Sequence, residues 1–382
     1  MLYNINIGKQ KGVTNMKIEN IAVANEYSII SSFDLVEGMA IPYELYYKNN
    51  SEYNIALRNS SLSKLSLIQL QKLEMTYGNL FVKTSNYNNL QNIIKVFTDN
   101  KKYTEFLDSL NGIRSKVNII IDNAFKSKTI DKEACEIVCF KINNTIISFN
   151  ASQIIQAITN VRDDKKYLYN HCIHVAFLNG LMGKWLNLDD EHMQQLVKIG
   201  FLHDIGKAKI PQEILDKPSS LTSEEFKIIK LHPIHSFNML INSGERDKDV
   251  LIAVRGHHEK TNGTGYPDGL TYDRLSLYAR ITTISDIYDA MVSKRVYKDA
   301  QSPFEVLDEF SRGRFSNLDT HLINIFLQNM PSELLGRKVV LSDGRIGIVA
   351  YVNHNNYAFP LINVNEEIIQ TNENLRCLCV CD

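Results

Sequence analysis

The sequence lacks a disulfide framework. Six cysteines are scattered over 382 residues rather than set in paired spacings, which excludes a small stapled secreted scaffold and fits a reducing compartment, so the cytoplasm is expected. It also lacks an excess of either charge. Forty-two Lys+Arg against 43 Asp+Glu leave a formal charge of −1, so composition carries no footprint of a nucleic-acid polymer or an anionic membrane as partner. No run approaches the ~20 apolar residues of a bilayer span, and the N-terminus has no apolar stretch of the secretory kind. No membrane span is expected, and the protein should be soluble. There is no internal repeat and no long low-complexity segment. What is present is a globular composition, 44% hydrophobic and 22% charged, in a chain longer than one typical domain of about 100–200 residues.

Pattern divides the chain unevenly. Residues 1–15 have no periodicity and read as a disordered arm. They are absent altogether if Met16 is the true start, since Lys11-Gly12-Val13 can be encoded by a purine-rich stretch resembling a bacterial ribosome-binding site. Residues 16–87 read as a small α+β module: Leu35 to Pro42 as a short strand with a turn, Ser63 to Leu73 as a helix, Leu80 to Lys83 as a closing strand. Residues 88–154 have few glycines and long apolar periodicity (Leu90, Ile93, Ile94, Phe97; Val117, Ile120, Ile121, Phe125). They read as connecting helices and as the candidate surface for a homodimer. Residues 155–330 are helical nearly throughout and hold five of the ten histidines at candidate sites. Residues 331–382 alternate with turn signals and read as a small antiparallel β appendage. The fold class expected is mainly α, a central all-helical domain with a small α+β module before it and the β appendage after it.

The chemistry concentrates in the helical stretch. Phe201-Leu202-His203-Asp204-Ile205-Gly206-Lys207 ends an apolar-periodic run that starts near a candidate N-cap at Asp190, with Gly206 and Pro211 as helix stops. A His-Asp pair at a helix end can serve two metal ions, because imidazole offers one nitrogen while a carboxylate has two oxygens. His171 lies in a strongly helical segment. His232 follows a capping box formed by Thr222 and Glu225, with Leu221 able to staple onto Phe226. Pro233 places a helix break at His232 and a new helix start behind it. His257-His258 ends a further apolar segment, and Asp286 sits among apolar residues with Asp289 one turn on.

Unpaired, each of these groups is costly to bury beside its apolar neighbours; together they form a nitrogen-and-oxygen set without thiolate, which suits iron, manganese or zinc better than a closed structural zinc site. His174, His192, His235, His321 and His354 read as hydrogen-bonded core residues, and Cys172 as helix packing. Cys377, Cys379 and Cys381 recur at period two and read as one face of a buried edge strand, with metal or redox chemistry as the alternative.

These residues resemble the HD-GYP domain, a helical branch of the HD metal-dependent phosphohydrolases. The resemblance covers roughly residues 155–330. It rests on His171, His203-Asp204 with Gly206-Lys207, His232-Pro233, His257-His258-Glu259, Gly265-Tyr266-Pro267, and Asp286 with Asp289, Arg295, Tyr297 and Lys298, in the family's order and at family-like separations. It implies an HD-type helical domain with two divalent metal ions, iron or manganese, held by His171, His203, Asp204, His232, His257, His258 and Asp286, with Asp204 bridging. Some members add a third metal through a glutamate one turn before the first histidine; this chain has Tyr167 there, and two metals are expected. Asn262 stands where many members carry aspartate.

The resemblance further implies cyclic di-GMP as substrate, with Lys207, Tyr266, Arg295 and Lys298 as substrate contacts and catalytic roles for Asp204, Lys207 and Asp289. A metal-bridged hydroxide would attack phosphorus in line. Lys207 would stabilise the oxyanion and Asp289 would orient a ligand or assist proton movement. The first product would be pGpG, with a slower second cleavage to GMP left open. Two other functions fit less of this set: a non-catalytic cyclic di-GMP receptor, and an HD hydrolase acting on another nucleotide such as a mixed cyclic dinucleotide.

Overall fold

Four short strands and a capped helix lie in the first of two units of the computed structural model, Met1–Glu105; the second is Phe106–Asp382. The described residues are 26–32, 35–58, 65–159, 167–293 and 300–381. The arm expected over residues 1–15, Met16, Arg295, Tyr297 and Lys298 lie outside them.

In the first unit, β1 (Tyr27–Ser31), β2 (Leu45–Asn49), β3 (Glu52–Leu57), α1 (Leu67–Tyr77) and β4 (Asn79–Lys83) follow in sequence. The strands form an antiparallel sheet in the order β1-β4-β2-β3. The helix expected from Ser63 starts later, because Ser66 and Gln69 form a reciprocal capping box that sets its first turn. The strand expected over Leu35–Pro42 does not form. Leu35, Met39 and Ile41 are buried there, but Gly38 adopts φ +89°, and the segment is tied down at Leu65, whose carbonyl accepts from Gly38 and whose N–H donates to Met39. Apolar alternation reported burial correctly and extension wrongly.

Residues 88–154 are helical as expected: α2 (Thr84–Ser127) and α3 (Lys132–Ser148) are followed by α4 (Ala151–Thr159). The second unit then runs through α5 (Tyr167–Trp185), α6 (Asp190–Leu202), α7 (Gln212–Leu215), α8 (Ser223–Ile229), α9 (His232–Asn242), α10 (Lys248–Gly256), α11 (Leu277–Val292), α12 (Pro303–Ser311) and α13 (Thr320–Glu333). α5 has no polar face. Its residues from His171 to Gly183 are all buried, which makes it the central helix of the unit. The N-cap of α6 is Asp189, whose carboxylate accepts from the His192 N–H, and not Asp190, which is already helical. None of the helices among the described residues is long and apolar enough to cross a membrane.

β5 (Lys338–Leu341), β6 (Ile346–Asn353), β7 (Asn356–Val364), β8 (Glu367–Gln370) and β9 (Cys377–Cys381) close the chain as an antiparallel sheet in the order β8-β7-β6-β5-β9. Its inner face, including Val349, Ile362 and Val380, joins the same apolar core as the helices. The three cysteines do not share a face. A bulge between Val340 and Leu341 breaks the register against β9, so Cys377 and Val380 are buried while Cys379 and Cys381 are half-buried. The chain is mainly α with a small antiparallel sheet in each unit, as its pattern predicts.

Candidate metal centre

Two glycines bring the site's helices together. A Cβ on Gly200 of α6 would lie 2.7 Å from Ala176 Cα of α5, and one on Gly206 would lie 2.2 Å from the His232 carbonyl oxygen. Only glycine permits these approaches. The first sets the end of α6, with His203, beside His171. The second seats the turn after His203 on the start of α9, where the Gly206 N–H donates to Ser236 Oγ (2.8 Å) and Ser236 Oγ donates to the His203 carbonyl (2.7 Å). Gly206 is therefore a packing residue and not the helix stop expected of it; α6 already ends at Leu202 and a 3-10 turn spans Ile205–Lys209. α9 starts at His232 itself, one residue earlier than expected, with Leu231 as its N-cap and Pro233 in its first turn, where the missing N–H has no helical partner to lose. His257 caps α10, held by Thr283 Oγ1 of α11, which donates to its carbonyl at 2.7 Å.

These contacts bring all seven predicted metal ligands into one buried site. Two groups of side-chain atoms lie within 4.8 Å of one another: His171, His203 and Asp204 form one, and Asp204, His232, His257 and His258 the other. Asp204 belongs to both. Its Oδ2 lies 3.3 Å from His171 Nε2 and 3.4 Å from His203 Nε2, whereas its Oδ1 lies 3.1 Å from His232 Nε2 and 4.0 Å from His257 Nε2. Asp286 flanks both groups, with Oδ1 3.1 Å from His171 Nε2 and Oδ2 3.7 Å from His258 Nδ1.

The outer nitrogens decide what the inner ones can do. Nδ1 of His203, His232 and His257 donates to the carbonyls of Gly200, Ile229 and Val254 at 2.7–2.8 Å. A carbonyl only accepts, so in each neutral ring the Nε2 carries a lone pair. Yet His232 Nε2 and His257 Nε2 face each other at 3.2 Å, as do His203 Nε2 and His171 Nε2. Between neutral rings such a contact is lone pair against lone pair. It becomes favourable with a cation shared between the nitrogens, and a proton is a poor candidate for the His232–His257 pair. Burial, with His258, His203 and His232 as neighbours, holds His257 well below the usual imidazole range. Asp204 Oδ1 is buried and receives no hydrogen bond. These residues fit a divalent ion on each side of Asp204.

Charge at the centre is strongly polarised. Burial alone would raise Asp204, but Lys207 and His203 hold its carboxyl well below the usual range. Lys207 Nζ is 2.5 Å from Asp204 Oδ2 and about a fifth exposed. Burial depresses His258 to about 3. It would depress His171 too, but hydrogen bonds with Asp204, Asp286 and Asp289 outweigh it and lift that imidazole to about 10. Tyr167, one turn before His171, stacks on its ring at 5.3 Å and offers no carboxylate for a further ion.

One residue read as an ordinary core histidine belongs to this network. Asp289 accepts from His171 Nδ1 at 2.7 Å through one oxygen and from His174 Nδ1 at 2.8 Å through the other. His171 and His174 are three apart on α5, and Asp286 and Asp289 three apart on α11, so each pair lines one face. That matched spacing was the available signal. Cys172 between the histidines packs into the core as expected.

The loop carrying Tyr266 is held from below. Glu259, 2% exposed, accepts the N–H groups of Asp268 (2.6 Å), Gly269 (3.0 Å) and Leu270 (3.0 Å). Gly265 crosses Glu259 so closely that a Cβ would sit 2.4 Å from its Cα. Asn262 serves the loop through its carbonyl oxygen, which accepts from Thr264 N–H and Oγ1; aspartate offers the same acceptor. Tyr266 stacks on His258 with centroids 4.8 Å apart, and burial pushes its phenol up. Glu259→Ala strands three N–H groups and is expected to cost about 3 kcal/mol or more, read as a lower thermal midpoint; an unchanged midpoint would mean that water replaces the carboxylate. Of the predicted substrate contacts, Lys207 and Tyr266 border the centre, and Arg295 and Lys298 lie outside the described residues.

Residues 155–322 match the model of the HD domain family. The chain is 29% identical over 244 residues to a cyclic di-GMP phosphodiesterase of Pseudomonas aeruginosa, covering 64% of this chain and 56% of that one. It is 42% identical over 129 residues to a cyclic di-GMP phosphodiesterase response regulator of Xanthomonas campestris, 33% of each chain. It is 33% identical over 183 residues to a 3'3'-cGAMP-specific phosphodiesterase of Vibrio cholerae, 46% of this chain and 41% of that one. The chain thus spans between a third and a little over half the length of these curated relatives.

Proposed function

We propose, from the match of residues 155–322 to the model of the HD domain family, a phosphodiesterase that hydrolyses cyclic di-GMP to pGpG at a pair of divalent metal ions. The observation that carries it is the pair of facing imidazole couples on opposite oxygens of Asp204. In this reading His171 and His203 would hold one ion and His232, His257 and His258 the other, with Asp204 facing both groups and Asp286 flanking them. Iron or manganese suits these donors. When bound, such a pair supplies an activated water near neutral pH and absorbs charge on the phosphoryl oxygens.

The chain's own residues do the rest. Lys207 Nζ, partly exposed beside Asp204, neutralises the non-bridging oxygens as charge builds on them. The Tyr266 ring closes the site over His258 and presents its hydroxyl to the substrate. Asp289 keeps Nδ1 of His171 protonated, so that Nε2 points inward as a base. The scattered spacing of the six cysteines supports a reducing, cytoplasmic setting.

One observation favours a second substrate: the similarity to a relative named for 3'3'-cGAMP. Metal-replete protein should be incubated with each dinucleotide and the products chromatographed, after metal analysis of material purified without air. Conversion of cyclic di-GMP to pGpG at the higher kcat/KM is expected. Faster loss of 3'3'-cGAMP would move the substrate assignment, and tight binding without turnover would make the protein a receptor.

A further inference from the structure

We propose that Lys230, with Phe226 and Tyr266, forms a second phosphate subsite, holding the phosphodiester of the cyclic dinucleotide that is not being cleaved. The inference rests on the substrate class proposed above and adds a residue to it. Lys230 caps the C-terminus of α8. Its ammonium lies 4.8 Å from the centroid of the Phe226 ring and 5.1 Å from that of Tyr266. Tyr266 in turn stacks on His258, 4.8 Å away and 30° from parallel. His258 belongs to one of the two candidate metal groups. The ammonium is therefore one aromatic layer from the reacting centre, within about 10 Å of the His258 ring.

Lys207 pairs with Asp204 and Lys217 with Glu225. Among the described residues no carboxylate pairs with Lys230. Two aromatic faces hold the cation and shed part of its water, and neither neutralises it. A partly desolvated, uncompensated ammonium attracts an anion more strongly than one in bulk water does.

The substrate's charge matches this arrangement. A cyclic dinucleotide carries two phosphodiesters, and the metal centre engages one. The other must leave the centre across its rim, where the half-exposed Phe226 offers flat apolar surface for a base and Lys230 offers the compensating charge. Lys207 cannot supply it, because its ammonium lies beside Asp204, at the reacting phosphate.

The test compares cyclic di-GMP with bis(p-nitrophenyl) phosphate, a diester with one phosphate and no purine, in the metal-loaded full-length protein. Lys230→Gln keeps the stem and removes the charge. It is expected to lower the ratio of kcat/KM for cyclic di-GMP over the small diester about ten-fold, chiefly through KM, and to weaken the salt dependence of that KM. Lys230→Arg should restore most of the ratio. An unchanged ratio in an active Lys230→Gln protein would overturn the subsite and leave the proposed function standing. A wild-type protein that cleaves the small diester but not cyclic di-GMP would overturn the proposed function, and the subsite with it.

Discussion

Replacing Asp204 with asparagine is expected to empty both halves of the centre at once and to reduce phosphodiester hydrolysis by well over the ~10–100-fold typical of losing an outer partner. The substitution conserves volume in a fully buried position, so the helices have no reason to move. What changes is the donor set. One carboxylate oxygen faces His171 and His203, and the other faces His232. An amide turns one of those oxygens into an N–H donor, and that half loses its anionic ligand. The other half keeps an oxygen without the full charge. Lys207 also loses the anion beside it. Metal stoichiometry measured after exhaustive dialysis, alongside turnover, reads the effect. Asp204→Asn protein that retains two ions per chain and wild-type rate would refute the bridging role of Asp204.

The second large effect is expected from a residue with no place in either metal group. Asp289→Asn should weaken metal binding about 10–100-fold and lower kcat with it. Asp289 receives a hydrogen bond from Nδ1 of His171 on one oxygen and from Nδ1 of His174 on the other. Asparagine accepts only one of the two and presents N–H to the other. If the amide nitrogen faces His171, that ring must carry its proton on Nε2, the nitrogen needed at the metal. Burial alone would raise the Asp289 carboxyl, but His174 and His171 hold it far below its usual value, so the native group is an anion to which both rings donate. Ser293→Ala makes a useful comparison, since its hydroxyl reaches the same carboxylate only at 3.3 Å and its loss should change metal affinity little. Equal affinities for wild-type and Asp289→Asn protein would show that the carboxylate does not govern the His171 tautomer.

These expectations divide by how visible their residues are in the chain itself. The Thr222–Glu225 capping box and the end of α10 at His257 come from local chemistry, and both form; α9 starts one residue before Pro233, at His232. Ser66 with Gln69 carries the same kind of local signal and sets α1 later than apolar periodicity alone suggests. Leu35 to Pro42 fails for a non-local reason, because alternation records which side chains are buried and cannot show whether a neighbouring strand exists. Period two likewise misplaces the cysteines of β9, since a bulge set by its pairing with β5 reverses the alternation.

Residue type and order by themselves determined that this chain is mainly helical and singled out five histidines and two aspartates as candidate ligands. Ligand atoms and helix-terminating residues are local properties, and they survive in a one-dimensional pattern. Only the tertiary structure decided that Asp204 stands between two couples of imidazoles, that His174 shares Asp289 with His171, and that Lys230 lies against Tyr266. Each of these joins groups from different helices, through contacts such as that of Gly206 with His232. A pairwise distance between segments is fixed by packing and leaves no periodic trace in either segment alone.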